Sequence, residues 1–411
     1  MKSLPCALAT LLGLAAISDA AQANEPGTLY HIYAGNTHSH TVYTWSHGEQ
    51  FESSKKKSGD KAESGLVVTP QGAQFPAKSS KLKPDWEKHQ GPPSAHYALA
   101  KANGYDFYAT TDHSQEAGFQ PPAETNTNWL DAKRSAAKAT DAHFVAIAGY
   151  EHSENNGPGG NGHLNVLNSA EYLNALAPGV DLPHLYQWLK TARAQDDAPV
   201  VASFNHPGAH QYNDWAYRDP EVTDIITLLE VINSNNRIHY AGFVNALDKG
   251  WKVSPVCGND NHGFWGITRH MSRTFVLATN LTKVGLLEAM KNRRTYAALD
   301  RNIQCRYTVN GEIMGSTLTR PTTFEFDLLV SDPDTEKAKD KITRIDIVKD
   351  GGAVVQTYQP EPAFSVRWTP TIQDSTNRYF FVLVWNAGGG DAPGADPAKP
   401  VAWLAPVWTG R

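Results

Sequence analysis

Two histidines stand two residues apart in Gly35-Asn36-Thr37-His38-Ser39-His40, directly behind a short β-like run over residues 29–34. On a strand, residues i and i+2 face the same side, so both imidazoles can reach one ion. A lone His-x-His is also compatible with a purely structural pair. The chain goes on, however, to supply Asp112-His113, Glu151, His163, His206, Asp260 and His262, and it places His47 seven residues after His40. Leaving Asp112 aside, that makes seven histidines and two acids, a set of nitrogen and oxygen donors without thiolate. It exceeds what one four-coordinate ion uses and suits two or three divalent ions such as zinc, manganese or iron. Ions that share a carboxylate and an activated water are a common means of attacking a phosphorus or carbonyl centre.

Those donors need elements that bring them together. Helix-forming stretches over residues 94–103, 128–140, 182–194 and 237–247 alternate with apolar runs over 105–111, 144–148, 200–204, 225–231 and 252–256. Alternating helices and buried strands predict a parallel sheet, wrapped or open, with the polar chemistry at the carboxyl ends of the strands. Asp112, His113, Glu151, His206, Asp260 and His262 each follow such a run, so convergence on one rim is expected. Residues 47–93 are polar and lack periodicity, and they read as a lid-like or solvated insertion. The lysine run at 55–57 is expected to be solvated, and the glycine-rich run at 157–160, with no following Lys-Ser/Thr, is a turn or rim rather than a nucleotide loop. From about Ile303 the texture changes to short alternating runs separated by turns, the pattern of a small β-sandwich over 303–411.

The 411 residues suffice for one large and one small domain. With 40% hydrophobic and 19% charged residues and a negative mean hydropathy, the composition is globular and excludes a membrane bundle. Met1-Lys2, an apolar run over residues 8–17 and Ala21-Gln22-Ala23 form a secretory leader pattern cut before Asn24. A periplasmic or secreted protein without a membrane anchor is expected. Its formal charge of −5 argues against a grip on extended nucleic acid. Cys257 and Cys305 remain after cleavage. Nothing in the spacing brings them within bridging range, and free thiols are expected.

The ordered set His-Ser-His, Thr-Thr-Asp-His, Gly-Tyr-Glu, Gly-His, Asn-His-Pro and Gly-Asn-Asp-Asn-His resembles the ligand motifs of the PHP (polymerase and histidinol phosphatase) superfamily over roughly residues 30–300, and the tail resembles the Ig-like β-domain of some secreted members. The resemblance implies a distorted (β/α)7 barrel over 24–302 that cleaves phosphate mono- or diesters. It also implies a division of ligands. His38 and His40 would hold one ion with Glu151 and Asp260, Glu151 would bridge to a second on His163 and His206, and a third would take His113, His262 and His47. The third site departs from the family, since Trp45 and Ser46 stand where an acid or histidine is usual. Asp112 is expected to accept a hydrogen bond from a ligand imidazole and fix its tautomer, with a turn or cap role at the strand end as the alternative. Arg237, Arg269 and Arg273 flank the motifs and are candidates for holding substrate phosphate, though each also suits a structural ion pair.

Three functions follow. The first is a metallohydrolase of small-molecule phosphoesters. The second keeps the metals and changes the bond to a phosphonate, amide or lactone. The third is an inactive barrel that binds a glycan or surface, with Trp368, Trp385, Trp403 and Trp408 as stacking rings. Oligomeric state is not legible.

Overall fold

The computed structural model describes residues 23–25, 28–52, 66–68, 74–76, 82–154, 161–392 and 394–411. The expected leader, the lysine run at 55–57, most of the lid-like insertion and the glycine-rich run at 157–160 lie outside them. The fold is mixed α/β with one large sheet. Its first strands are β1 (His31–Asn36), β2 (Phe107–His113), β3 (Val145–Glu154), β4 (Gly162–Leu167), β5 (Val201–Asn205), β6 (Ile226–Asn233) and β7 (Ser254–Cys257), followed by β8 (Arg273–Ala278) and β9 (Thr295–Ala298). The main helices among them are α1 (Pro93–Ala102), α2 (Thr127–Ala139), α3 (Leu182–Thr191), α4 (Tyr240–Asp248), α5 (Phe264–Arg269) and α6 (Lys283–Lys291). No helix among the described residues is long and apolar enough to cross a membrane.

Local chemistry accounts for the helices. Asp181 caps α3 by accepting from His184 N at 2.9 Å, and Leu182, Leu185, Tyr186 and Leu189 recur at i, i+3, i+4 and i+7 to form its buried face. Each such side chain taken from water contributes about 1.5–3 kcal/mol. Asn126 caps α2 in the same way, accepting from Asn128 N and Trp129 N.

Strand pairing departs from the expected all-parallel order. β1, β2 and β3 are parallel, β3–β4 and β4–β5 are antiparallel, and β5, β6 and β7 are again parallel. The cause is a polar continuation of β3. His152, Ser153 and Glu154 stay in the strand, buried, and pair with Leu164, His163 and Gly162. Glu151, expected just past the strand, therefore lies inside it, and His163 enters from a strand that polar composition concealed. At the carboxyl ends of β1 and β7 the chain meets itself, with His40 N donating to Asn261 O at 2.8 Å and Asp260 N to His38 O at 3.0 Å.

One buried polar contact braces this junction. His96 on α1 is fully buried, its Nε2 lies 2.6 Å from Gln90 Oε1, and its Nδ1 lies 3.5 Å from Ser39 Oγ, between His38 and His40. Burial pushes its pKa down to about 3. Between that value and the unfolded value near 6.5, the unfolded chain takes up a proton that the folded chain refuses, so this stabilisation is complete above about pH 6.5 and is lost as pH falls toward 3. His96→Gln should remove a pH dependence worth about 2 kcal/mol between about pH 7 and pH 5. Urea unfolding of both proteins at the two pH values measures it, and equal slopes would refute the assignment.

The C-terminal part holds β10 (Gln304–Val309), β11 (Thr323–Ser331), β12 (Ile342–Lys349), β13 (Ala353–Tyr358), β14 (Ser365–Trp368), β15 (Tyr379–Asn386) and β16 (Ala402–Leu404). β10, β11 and β14 form one antiparallel sheet, and β16, β15, β12 and β13 run antiparallel in another. Phe324 and Phe326 of β11 meet Phe380 of β15 at ring-centroid distances of 4.8 and 5.9 Å, which is where the two sheets share a core. The second sheet is continuous with the first part. β9 pairs with β16 from Tyr296↔Leu404 to Ala298↔Ala402, giving a sheet of 15 strands. The change of texture at Ile303 is thus not a break in the hydrogen bonding. Trp385, Trp403 and Trp408 are buried in this core, and Trp368 stacks on Tyr358, so three of the four proposed sugar-stacking rings present no open face. Cys257 and Cys305 are both buried and free.

Candidate metal centre

A buried carboxylate sits among imidazoles at the carboxyl ends of the first strands. Glu151, 1% exposed, has an oxygen 3.4 Å from His38 Nε2, 3.5 Å from His40 Nε2, 3.0 Å from His113 Nδ1, 3.2 Å from His163 Nδ1 and 3.5 Å from His206 Nε2. Asp260 faces it, 3.1 Å from His40 Nε2, 3.5 Å from His38 Nε2 and 3.4 Å from His262 Nε2. Asn205 Nδ2 donates to Glu151 Oε1 at 2.9 Å and Ser153 Oγ donates to Oε2 at 3.1 Å. Burial works against the charge of Glu151, but His38, His163 and His113 outweigh it and hold the carboxyl well below its ordinary range. Asp260 is held low in the same way, by His38, His262 and His40 against burial.

The donors form three groups, each with mutually close ligand atoms: His38, His40 and Glu151; Glu151, His163 and His206; and His40, His113 and His262. Nε2 of His38 and Nε2 of His40 are 2.9 Å apart. Two donors about 2.0–2.1 Å from a tetrahedral ion lie roughly 3.3 Å apart, so the spacings of 2.9–3.5 Å fit a shared cation. His40 joins the third group, a position that sequence reasoning gave to His47. His47 stands beside that group with its ring 4.1 Å from His262 and 5.4 Å from His113, and its Nδ1 is 2.9 Å from Ser46 Oγ, which in turn donates to Glu116. His206 and Asp260 hold left-handed backbone, with φ of 32° and 46°, a strain that recurs at functional sites.

Two assignments are corrected. Asp112 accepts from Thr41 N, Thr41 Oγ1, Thr44 N and Thr44 Oγ1 at 2.7–3.0 Å, so it organises the turn after His40. It reaches an imidazole only through Thr44 Oγ1, 3.3 Å from His40 Nδ1. Arg273 is buried, donates from Nη1 to the carbonyls of His270 and Ser272, and stacks 3.6 Å from the Tyr105 ring centroid, so the contacts it makes are structural ones. Arg269 is exposed at the last residue of α5, and Arg237 is exposed on a two-residue strand that pairs with the end of β6.

The carboxylate that does orient an imidazole is Glu230 of β6. Its Oε1 accepts from His38 Nδ1 at 2.7 Å, while Oε2 accepts from His206 N at 2.8 Å and Asn233 Nδ2 at 2.9 Å. With Nδ1 donating, Nε2 of His38 is the nitrogen that faces the cluster, and it would offer its lone pair to an ion bound there. Burial lowers the pKa of His38, but Glu230, Glu151 and Asp260 outweigh that and hold it well above the ordinary range. The signal was available in the sequence as a lone acid inside Leu228-Leu229-Glu230-Val231. Gly258 makes the contact possible, since a Cβ there would lie 1.8 Å from Glu230 Oε1 and 2.8 Å from His38 Cβ.

The chain is therefore a mixed α/β protein whose buried imidazoles and acids could hold divalent ions. No family model and no curated protein matches it. Among solved structures it is similar to a two-domain protein containing a predicted PHP-like metal-dependent phosphoesterase from Bacteroides vulgatus, at 16% identity over 92% of this chain and 95% of that one, with a TM-score of 0.43. It is also similar to PsfC from Pseudomonas syringae, at 16% identity over 49% of this chain and 79% of that one, with a TM-score of 0.34.

Proposed function

We propose that the chain is a metal-dependent phosphoesterase of the PHP type, cleaving small-molecule phosphate mono- or diesters. The observation that carries this is Glu151, one buried carboxylate with five imidazole nitrogens within 3.5 Å. Held by His38, His40, Glu151, His163, His206, Asp260, His113 and His262, divalent ions would lower the pKa of a bound water and neutralise charge on the ester oxygens. The protein's own part is orientation. Glu230 and Thr44 hold the rings of His38 and His40, Asn205 and Ser153 fix Glu151, and the short turn after His40 is pinned by Asp112. The meeting of β1 and β7 supports reading the first seven strands as the distorted barrel. The two C-terminal sheets with their shared aromatic core support reading 303–411 as an Ig-like sandwich. The leader pattern before Asn24 supports export to the periplasm or medium, which N-terminal sequencing of secreted protein would check.

Zinc-, manganese- or iron-loaded protein should hydrolyse an aryl phosphate mono- or diester, lose the activity to a chelator, and regain it on metal return. Activity confined to carboxyl esters or amides would move the assignment to the other hydrolase class. Failure to take up metal after careful loading would overturn both.

A further inference from the structure

Away from the histidine centre, five aspartates converge where the two parts of the chain meet. Asp300 follows β9, Asp332, Asp334 and Asp340 lie in the β11–β12 connection, and Asp391 lies in the β15–β16 connection. Carboxylate oxygens of Asp300, Asp340 and Asp391 lie within 4.8 Å of one another, as do those of Asp332, Asp334 and Asp340, so Asp340 is common to both groups.

Their burial distinguishes them from a solvated acidic patch. Asp300, Asp332 and Asp340 are 1%, 2% and 1% exposed. Among the described residues, neither oxygen of Asp340 has a hydrogen-bond partner, and Oδ2 of Asp300 and of Asp332 likewise have none. Their other oxygens are engaged, Asp300 Oδ1 by the amides of Asn302 and Ile303 and Asp332 Oδ1 by the amide of Asp334. The neighbouring cations serve mainly the outer two. Lys337 pairs with Asp334, Lys339 Nζ is 2.9 Å from Asp391 and 3.8 Å from Asp340, and Arg301 reaches Asp391 at 3.7 Å and Asp334 at 4.0 Å. Among the described residues, three cations stand beside five carboxylates and leave two negative charges uncompensated, around oxygens that have lost their water. Such groups are costly to bury without a counter-charge. Burial and the adjoining aspartates push the Asp300 carboxyl up to about 6 and that of Asp332 up to about 7, which shows how poorly the site tolerates its own charge.

We infer that these aspartates form a structural site for one calcium ion that clamps the β9–β10, β11–β12 and β15–β16 connections together. The donors are oxygen only, which selects a hard cation over the metals suited to the histidine centre. Oxygens at 2.3–2.6 Å from calcium lie at most roughly 5 Å apart across the ion, which accommodates the observed spacing.

Thermal unfolding of the full chain with and without about 5 mM calcium chloride tests this, a concentration that saturates even weak extracellular calcium modules. The midpoint should rise by roughly 5 °C in the wild type and equally in His206→Ala, whose change lies in the other centre. In Asp340→Asn the rise should vanish, while the calcium-free midpoint should equal or exceed that of wild type, because a buried charge without a partner has been removed. Equilibrium dialysis should find one calcium per chain in wild type and none in Asp332→Asn, a second variant that does not depend on Asp340. A wild-type midpoint unmoved by calcium, or a shift retained in Asp340→Asn, would overturn the site and leave shared protons as the means by which these carboxyls are buried.

Discussion

Glu151→Gln should leave a folded protein that neither retains its full complement of metal nor hydrolyses phosphoesters, with turnover down by at least about 10³-fold. Glu151 and His40 each belong to two of the three donor groups, and of the two only Glu151, with two carboxylate oxygens, could bridge ions; it lies against five imidazoles. Glutamine keeps the shape and can still accept from Asn205. What it loses is the second anionic oxygen, and with it the main attraction that keeps His113 above its ordinary pKa against burial and part of that on His38, where Glu230 acts more strongly. Metal content by elemental analysis, turnover on an aryl phosphate, and far-ultraviolet circular dichroism separate the outcomes. A variant that holds the wild-type number of ions and keeps a tenth of the rate would show that Glu151 does not organise the centre.

A change at Glu230 should have the next largest effect although this carboxylate belongs to none of the donor groups. Both oxygens are committed as acceptors, Oε1 to His38 Nδ1 and Oε2 to His206 N and Asn233 Nδ2. Glu230→Gln has one acceptor oxygen for these two tasks. If that oxygen faces His206 and Asn233, the amide NH2 faces His38, whose Nδ1 must then accept, and the proton moves to Nε2 and points into the cluster. Metal affinity should fall about 10–100-fold, the usual cost of losing a group that orients a ligand histidine. Gly258→Ala should do the same by displacing the Glu230 carboxylate rather than altering it. Competition against a chromophoric chelator measures the affinity, and nitrogen NMR of the imidazoles reports the tautomer. Affinities within twofold of wild type in both variants would dismiss Glu230 as an orienting group.

How far the chain could be read before its coordinates follows from the same residues. His38, His40, His113, His206, Asp260 and His262 were legible because each stands at or just past an apolar run, and strand ends are where such sheets present their chemistry. Ser153, Glu154 and His163 were not recognised as strand because polar residues pairing over a buried site look locally like loop. Glu230 was missed for the opposite reason, since the apolar run around it reads as core and the one acid within it, which was the signal, was passed over. For Arg273 and Asp112 the neighbourhood was right and the direction was not. Flanking position in sequence does not tell which face a side chain takes, and the Tyr105 ring and the Thr41–Thr44 turn decided that. The β9–β16 pairing joins segments about a hundred residues apart, beyond the reach of any local pattern.

That pairing also limits what can be cut away. A fragment ending near residue 302 would bare the backbone of Tyr296, Ala297 and Ala298 along a flank that now binds Trp403 and its neighbours, and an open strand margin of apolar residues recruits other chains. The histidine-bearing half is therefore not a portable module. Excised, it should precipitate or associate, so the C-terminal half also serves as the stopper that covers this strand margin.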